Sequence, residues 1–386
     1  MSVYERTDVD HKGTDKVAGL EQDIRGTLVH ARDCRSPLDC KIRLRYTTVN
    51  VIRKGVTVVT IAVIGAGAIG SVIGGLLSKA GEDVTLVGRK SHVDAINHNG
   101  LILDGESGEM VIKVKAAENL DFKPDLVLLA VKTQDVESSV RKVQLFVSST
   151  PVITMQNGVQ SDDIVAGILG KENIISSVVI FGSLFLEPGK ALYSLPWGKI
   201  ALLIGEPFGT KENRLQSLSA LFNKALPTDI SEDIRGAHWT KLLWNLNNPI
   251  PAVTGLSLQE LNPYPQMREL QVNLMKEGLE VIKIAGMKTA DVPGMPLSLM
   301  ETIMETMVKM PLPTSFFGQL PMLGSTFQSI KRRKSTEIDY LNGEIVNLGK
   351  KRNIPTPANS LMVELVHQVE TTGKFLTVDE LTQRLS

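Results

Sequence analysis

Lys241 is the side chain in this sequence best placed to act as an acid, since apolar residues surround it in the segment AHWTKLLWNLNN. Partial burial disfavours a charged ammonium and lowers its pKa towards the range useful for proton donation. On a helix, Lys241, Asn245 and Asn248 are at i, i+4 and i+7 and share one face. The lysine could there donate to a carbonyl or carboxylate while the amides orient the ligand. An amphipathic helix whose polar face is merely hydrated has the same spacing, and this alternative stays open.

Glu337 is a second candidate, because it stands at the start of an apolar helical stripe formed by Ile338, Leu341, Ile345 and Leu348. The pattern predicts a helix over 336–351 with Glu337 in its first turn. A functional carboxylate at this position would bind substrate hydroxyls. In the alternative, Glu337 only stabilises the helix, by about 0.3–1 kcal/mol, because its negative charge interacts favourably with the positive end of the helix dipole. The basic run 331–334 before it is either a hydrated cluster or a phosphate contact.

Three glycines, Gly65, Gly67 and Gly70, form the pattern G-x-G-x-x-G between an apolar run, 61–64, and a helical pattern. The apolar run is short and rich in β-branched residues, which is typical of a buried parallel strand. In this context bare backbone lets a pyrophosphate approach, and the helix start offers N–H groups and a positive dipole end. The segment therefore predicts a dinucleotide site, against the alternative of a glycine-rich turn in another α/β domain.

Arg89 indicates which dinucleotide would bind. A second predicted strand, 83–87, is followed by Gly88, Arg89 and Lys90, where sites for NAD usually carry an Asp or Glu that accepts from the ribose. Without that carboxylate nothing repels a 2′-phosphate, and an arginine can bind it with paired charge-assisted hydrogen bonds. The sequence favours NADP(H) over NAD(H), although a hydrated basic pair in a surface loop is the alternative.

The composition is that of an ordinary soluble protein. Of 386 residues, 42% are hydrophobic and 22% are charged, and 42 basic residues balance 42 acidic ones. This balance does not indicate nucleic-acid binding, and no apolar run is long enough to span a bilayer. Cys34 and Cys40 have no histidine partner, so they form neither a zinc pattern nor a disulfide framework. We therefore expect a cytoplasmic protein that binds no metal, no nucleic acid and no membrane.

The order of patterns predicts a Rossmann-type α/β fold, with a doubly wound parallel sheet, followed by an all-helical C-terminal domain. Residues 59–231 alternate strands and helices, with a hairpin excursion within 174–204, and 232–386 carry long helical patterns. Residues 1–58 form an N-terminal extension that we expect to be poorly ordered or translated from a misplaced start. A targeting arm or a partner-binding tail is the alternative. The predicted C-terminal helices are 235–245, 267–285, 300–307, 336–351 and 360–371.

Residues 60–371 resemble the ketopantoate reductase (2-dehydropantoate 2-reductase) family. The resemblance rests on the ordered motifs IAVIGAGAIGS, AVKTQD, MQNGVQ, WTKLLWNLNN with AVTG, and STEIDYLNGEIVNLGKKRNIPTPAN. It implies a Rossmann domain and a helical domain with the active site in the cleft between them. The implied activity is the NADPH-dependent reduction of ketopantoate to D-pantoate in pantothenate and coenzyme A biosynthesis.

The resemblance also implies roles for single residues. Lys241 would be the general acid, Glu337 would hydrogen-bond the substrate hydroxyl, and Ser325 would hold the substrate carboxylate. Lys132 would reach the cofactor, and Asn157 would position both nicotinamide and substrate. The full cofactor set is Gly65, Ala66, Gly67, Ala68, Ile69, Gly70, Arg89, Lys132 and Asn157. The full substrate set is Asn157, Asn245, Asn248 and Ser325.

Two departures from the family pattern fall on the substrate side. The second amide usually follows the first by four residues, whereas Asn248 follows Asn245 by three and Pro249 takes the expected place. Either Asn248 substitutes after a local shift, or Asn247 and Asn248 belong to a variant pocket. Ser329 stands where an aspartate is common.

These departures leave the exact substrate open. A related NADPH-dependent reductase of a different 2-oxo acid is the nearer alternative, and a non-catalytic NADP(H)-binding sensor is the more distant one. A homodimer is left open, because helical C-terminal domains offer dimer surfaces.

Overall fold

The computed structural model describes residues 58–105, 108–194, 200–209, 214–313, 316 and 321–385. The predictions for the N-terminal extension, with Cys34 and Cys40, lie outside the described residues except at Val58. The domain boundary that we place between residues 231 and 232 stays a prediction. The last strand of the sheet ends at Ile230, and the next helix begins at Ile234.

An eight-stranded sheet forms the first part of the described chain. In spatial order its strands are β12 (Thr228–Ile230), β11 (Leu202–Gly205), β8 (Ile174–Val179), β7 (Val152–Thr154), β6 (Leu126–Leu129), β1 (Thr60–Ile64), β2 (Asp83–Val87) and β5 (Lys115–Ala117). Among these described strands every neighbouring pair is parallel except β8 and β11. The chain leaves β1 towards β2 and returns on its other side at β6, so the sheet has a switch point between β1 and β6.

Strand β1 shows why these strands are unbroken apolar runs. Ile61 and Val63 pack into one hydrophobic core, whereas Ala62 and Ile64 pack into another on the opposite face. Helices α1 (Ala68–Lys79) and α5 (Arg214–Phe222) contribute to the first core, and α3 (Val136–Val147) and α4 (Ser161–Leu169) contribute to the second. Helix α2 (Lys90–Asn99) follows β2. This arrangement confirms the predicted doubly wound sheet.

A second sheet has four strands, which are in spatial order β4 (Gly108–Ile112), β3 (Leu101–Gly105), β10 (Lys190–Ser194) and β9 (Gly182–Glu187). Strands β9 and β10 form the predicted hairpin excursion and turn at Gly189, whose φ is +85°. The parallel pairing of β10 with β3 joins this hairpin to another one distant in sequence, which the patterns did not indicate.

Helices form the rest of the described chain, as predicted. They are α6 (Ile234–Asn245), α7 (Pro249–Thr254), α8 (Leu258–Leu261), α9 (Pro265–Ile284), α10 (Leu297–Lys309), α11 (Gly324–Lys331), α12 (Asn342–Arg352), α13 (Pro357–Thr372) and α14 (Val378–Leu385). The long helix α9 contacts α6, α10, α12 and α13 and buries residues such as Leu274 and Val281 in their shared core. In the described ranges, no helix has the length and apolarity needed to cross a membrane.

The prediction that Glu337 lies in the first turn of a helix over 336–351 is wrong. A short 3₁₀ segment, Ile338–Tyr340, follows Glu337, and α12 begins only at Asn342. Leu341 separates them, because its φ of −110° and ψ of −97° lie outside the helical region. Glu337 lies five residues before α12 and makes no side-chain cap to the 3₁₀ segment, so the alternative in which it only interacts with a helix dipole loses its basis.

Candidate active site

The glycine-rich turn lies at the switch point of the sheet and leaves the start of α1 accessible. Gly65 has a φ of +100°, and a Cβ there would lie 2.6 Å from the backbone nitrogen of Val131. Gly67 caps α1 without any side-chain hydrogen bond, so the N–H groups of the first turn keep their capacity for an anion. The intervening residues Ala66, Ala68 and Ile69 continue this turn into the helix, and Ala66 N donates to Val87 O at 2.9 Å. The geometry therefore fits a dinucleotide pyrophosphate.

Arg89 and Lys90 differ although they are neighbours after β2. Lys90 Nζ binds both carboxylate oxygens of Asp94, at 3.0 and 2.8 Å. Arg89 is exposed at the start of α2, and its guanidinium forms no ion pair with any residue that the structure describes. Of the two cations, Arg89 is the one that is available to a 2′-phosphate.

Lys132 follows β6 and connects the sheet to the helical part of the chain. Its Nζ donates to Ser329 Oγ at 2.7 Å and to the Ser335 carbonyl at 2.5 Å. Burial lowers the pKa of Lys132, and the nearby Glu337 opposes this shift. The residue predicted to reach the cofactor thus contacts Ser329, which is predicted to lie on the substrate side and stands where an aspartate is common.

Glu337 is anchored to the edge of the sheet by Thr133. Its Oε1 accepts from the backbone N–H and from the hydroxyl of Thr133, both at 3.0 Å. The same hydroxyl lies 3.1 Å from the Asn157 carbonyl oxygen, so Glu337, Thr133 and Asn157 form one cluster. Gly158 allows this close packing, because its φ is +89° and a Cβ would lie 2.8 Å from the Tyr340 carbonyl oxygen.

Lys241 lies on the last turn but one of α6, with its Nζ donating to the Val179 carbonyl at the end of β8. Burial lowers the pKa of Lys241 to about 8, and the opposite charge of Glu337 limits the shift. This confirms the desolvation predicted from its apolar neighbours. A lysine with this pKa is mostly protonated at neutral pH and can release its proton more readily than an exposed one.

The prediction that one continuous helix carries Lys241, Asn245 and Asn248 is wrong, although Asn248 still lies beside Asn245. Helix α6 ends at Asn245, and a tight turn over 246–248 precedes Pro249, the first residue of α7. In this turn Asn248 N donates to Asn245 O at 3.0 Å, and an i to i+3 turn places the two side chains nearly above one another. Asn248 Nδ2 accordingly donates to Asn245 Oδ1 at 3.2 Å.

The turn leaves two buried polar atoms without a partner in the described structure. These atoms are Asn245 Nδ2, a donor, and Asn247 Oδ1, an acceptor. Such unpaired groups are costly in a protein interior unless a ligand or water satisfies them. They fit a site that binds a polar small molecule.

Ser325 lies at the start of α11, half-buried, and its carbonyl accepts from Ser329 Oγ at 3.1 Å. Gly324, just before it, packs so closely on Asn248 that a Cβ would lie 2.8 Å from Asn248 Oδ1. The structure thus brings the serine and the amides together, and Lys132 reaches the same helix. Arg89 belongs to the cofactor end and has no contact with this group among the described residues.

Sequence reasoning missed three residues of this region. Thr133 anchors Glu337, and the Val179 carbonyl holds Lys241. Gln156 Nε2 donates to the carbonyls of Leu129 and Val131, at 2.7 and 2.9 Å, and so joins β7 to the end of β6. The polar strand ends 132–134 and 156–158 were the available signal for Thr133 and Gln156, whereas a backbone carbonyl leaves no signal in a sequence.

The fold and the site together define a class of α/β proteins in which the sheet carries a nucleotide-type glycine turn and a helical region supplies polar residues to the loop after β6. The family model described as "Ketopantoate reductase PanE/ApbA" matches residues 61–204, and its C-terminal counterpart matches residues 233–370. The chain belongs to the ketopantoate reductase family.

Individual relatives agree with this assignment. A 2-dehydropantoate 2-reductase of Pyrococcus horikoshii is 32% identical over 317 residues, which are 81% of this chain and 98% of that protein. The crystal structure of a ketopantoate reductase from Ralstonia eutropha is 31% identical, with a TM-score of 0.67 over 81% of this chain and 98% of that one. A D-mandelate dehydrogenase solved with NADH and anilino(oxo)acetate has the same TM-score at 24% identity, which shows a shared fold only.

Proposed function

We propose that this protein reduces 2-dehydropantoate (ketopantoate) to D-pantoate with NADPH, in the cytoplasmic synthesis of pantothenate and coenzyme A. The observation that carries the proposal is the half-buried Lys241, whose ammonium is near the charge of Glu337 and lies one helical turn before the unpaired amide of Asn245. Membership of the ketopantoate reductase family supports the reaction, and the available Arg89 supports NADPH over NADH.

The residues on the cofactor side suit NADPH. The backbone from Gly65 to Gly70 and the start of α1 would hold the pyrophosphate, Arg89 the 2′-phosphate, and Lys132 and Asn157 the nicotinamide end. When bound, the reduced nicotinamide supplies a hydride to the carbonyl carbon of the substrate.

The residues on the substrate side would stabilise the charge that develops on the carbonyl oxygen and would orient the substrate. Lys241 donates its proton, or presents its charge, to the carbonyl oxygen as negative charge develops there. A single preorganised donor at such an oxygen is worth about 3–4 kcal/mol of barrier. Glu337, held by Thr133, would accept from the substrate hydroxyl, Asn245 would bind a substrate oxygen, and Ser325 would hold the carboxylate.

One observation favours a second candidate, a reductase of the same family that acts on a different 2-oxo acid. The helix that the sequence predicted to continue through Asn248 ends at Asn245. Asn248 instead binds Asn245, and Gly324 at the start of α11 packs on Asn248. A changed position of the second amide would change the space available to the side chain of the substrate.

NADPH oxidation followed by absorbance, with ketopantoate and a panel of branched and unbranched 2-oxo acids, tests both candidates. We expect the highest kcat/KM with ketopantoate and growth of a pantothenate auxotroph that expresses the protein. Higher kcat/KM with another 2-oxo acid would support the second candidate. Tight NADPH binding without oxidation by any 2-oxo acid would contradict both and indicate a sensor.

A further inference from the structure

We propose that His238 is a positioning residue for Lys241, because it fastens helix α6 to strand β8 and to the turn that carries Asn157. Through these contacts it would set the place and the solvation of the Lys241 ammonium. This inference rests on the proposed function only in so far as Lys241 is the acid of that reaction.

The first argument is the placement of His238. It lies three residues before Lys241 on α6, so both side chains leave the same face of the helix. The imidazole is buried, and its Nε2 lies 2.7 Å from the hydroxyl of Ser176. Lys241 donates to Val179, which lies three residues after Ser176 on β8. Helix and strand are thus joined at two neighbouring points.

The second argument is the chain of hydrogen bonds that holds the imidazole. Ser176 Oγ donates to Asp162 Oδ2 at 2.7 Å, and the other oxygen of Asp162 accepts from Thr154 at 2.5 Å. The Ser176 hydroxyl therefore lies within hydrogen-bond distance of both the Asp162 carboxylate and the imidazole Nε2. A buried carboxylate with two hydroxyl donors therefore holds Ser176, and Ser176 holds the ring of His238 in one orientation.

The third argument is that His238 reaches a second part of the site. The backbone of Gly158 also hydrogen-bonds the imidazole, and Gly158 follows Asn157 directly. Asp162 lies on α4, which begins three residues after Gly158. One side chain therefore connects the helix of the acid with the turn that would place nicotinamide and substrate.

The effect of His238 on Lys241 would be positional rather than electrostatic. Burial lowers the pKa of His238, although Asp162 opposes the shift, and Lys241 and Arg235 lower it further. The imidazole is then neutral at pH 7, and its removal takes no charge away from Lys241. What changes is the packing of helix α6 on strand β8. Looser packing would admit water to the Lys241 ammonium.

The test measures the pKa of Lys241 in variants, by NMR titration of ¹³C-labelled lysine side chains with Lys241→Arg as the assignment variant. His238→Ala and Ser176→Ala should both raise this pKa from about 8 towards the ordinary value of 10.5. They should lower kcat at least about tenfold with little change in the KM for NADPH, since small displacements at reacting centres are costly. His238→Gln keeps a hydrogen-bonding amide near the position of Nε2, so the pKa of Lys241 and kcat should stay close to the wild-type values.

His92→Ala is the matched control, because His92 is another buried histidine with two hydrogen bonds, to Ser71 and Gly189. It should lower the melting temperature and leave the pKa of Lys241 unchanged. If His238→Ala and Ser176→Ala also leave that pKa unchanged, the proposal is overturned and the network only stabilises the fold. The titration needs no substrate, so a failure of the proposed reaction would appear separately, as wild-type protein that does not oxidise NADPH with ketopantoate.

Discussion

The cofactor side and the substrate side of the candidate site differ in the kind of group that would bind the ligand: backbone N–H groups on the first side and side chains on the second. Around Gly65 and the start of α1 the binding groups are backbone N–H groups, and their geometry follows from a glycine with positive φ and a short turn. Around Lys241 the candidate binding groups are side chains from α6, α11, the segment before α12 and the loops that follow β6 and β7. Hydrogen bonds between distant parts of the chain hold them. A local backbone motif can be recognised in a sequence, whereas an assembly of side chains depends on the packing of several elements.

The strongest test of this contrast is Lys241→Ala. We expect kcat with ketopantoate to fall about a hundredfold or more, because the general acid is lost, while NADPH binding stays close to that of the wild type. Stopped-flow turnover and fluorescence titration with NADPH measure the two quantities. The exposed Lys350 on α12 provides the control variant Lys350→Ala, which should behave as wild type. Near-normal turnover of Lys241→Ala would refute its assignment as the acid.

Arg89→Ala tests whether the cofactor side uses one side chain for selectivity. Loss of charge-assisted hydrogen bonds of about 1.5–3 kcal/mol should raise the KM for NADPH roughly tenfold to a hundredfold and change the KM for NADH little. Lys90→Ala is the matched control, because Asp94 already engages that lysine, and its effect should be smaller. An equal loss with both cofactors would show that Arg89 does not contact the 2′-phosphate.

Gly65→Ala tests whether the cofactor side depends on backbone geometry. A Cβ would meet the nitrogen of Val131 at 2.6 Å, and alanine at a φ of +100° is strained, so we expect a destabilisation of about 1–3 kcal/mol. Gly67→Ala is the comparison, since a Cβ there meets nothing within 4 Å. Thermal unfolding should show a lower melting temperature for the first variant only. Similar melting temperatures would mean that the turn tolerates a side chain.

Asn248→Ala should have the smallest effect. Asn248 hydrogen-bonds the side chain of Asn245. Loss of this hydrogen bond would remove about 0.5–1.5 kcal/mol of stabilisation from the Asn245 amide. The KM for ketopantoate should rise roughly twofold to tenfold, with kcat nearly unchanged, whereas Asn245→Ala should lose more. If Asn248→Ala is the more damaging variant in steady-state kinetics, Asn248 binds the substrate directly.

The predictions that held concern local patterns. The predicted strands 61–64 and 83–87 are present as β1 and β2, and the helical periodicity after residue 232 predicted the helical region. The predictions that failed concern places where a helix had to end. Leu341 interrupts the helix predicted after Glu337, and Pro249 begins a new helix where the face of Lys241 was extended to Asn248. The helical spacing of apolar and polar residues continues across such helix ends, so the sequence pattern does not reveal where a helix stops.

The sequence by itself determined the strand and helix pattern of the doubly wound sheet, the glycine turn and the apolar neighbours of Lys241, because each depends on residues close together in the chain. The low pKa of Lys241 depends on its burial in the folded structure. Only the tertiary structure decided that Thr133 holds Glu337, that Lys132 binds Ser329, and that His238 stands beside Ser176. These contacts join residues 62 to 204 positions apart. Such pairs form only when whole elements pack together, and no short pattern encodes them.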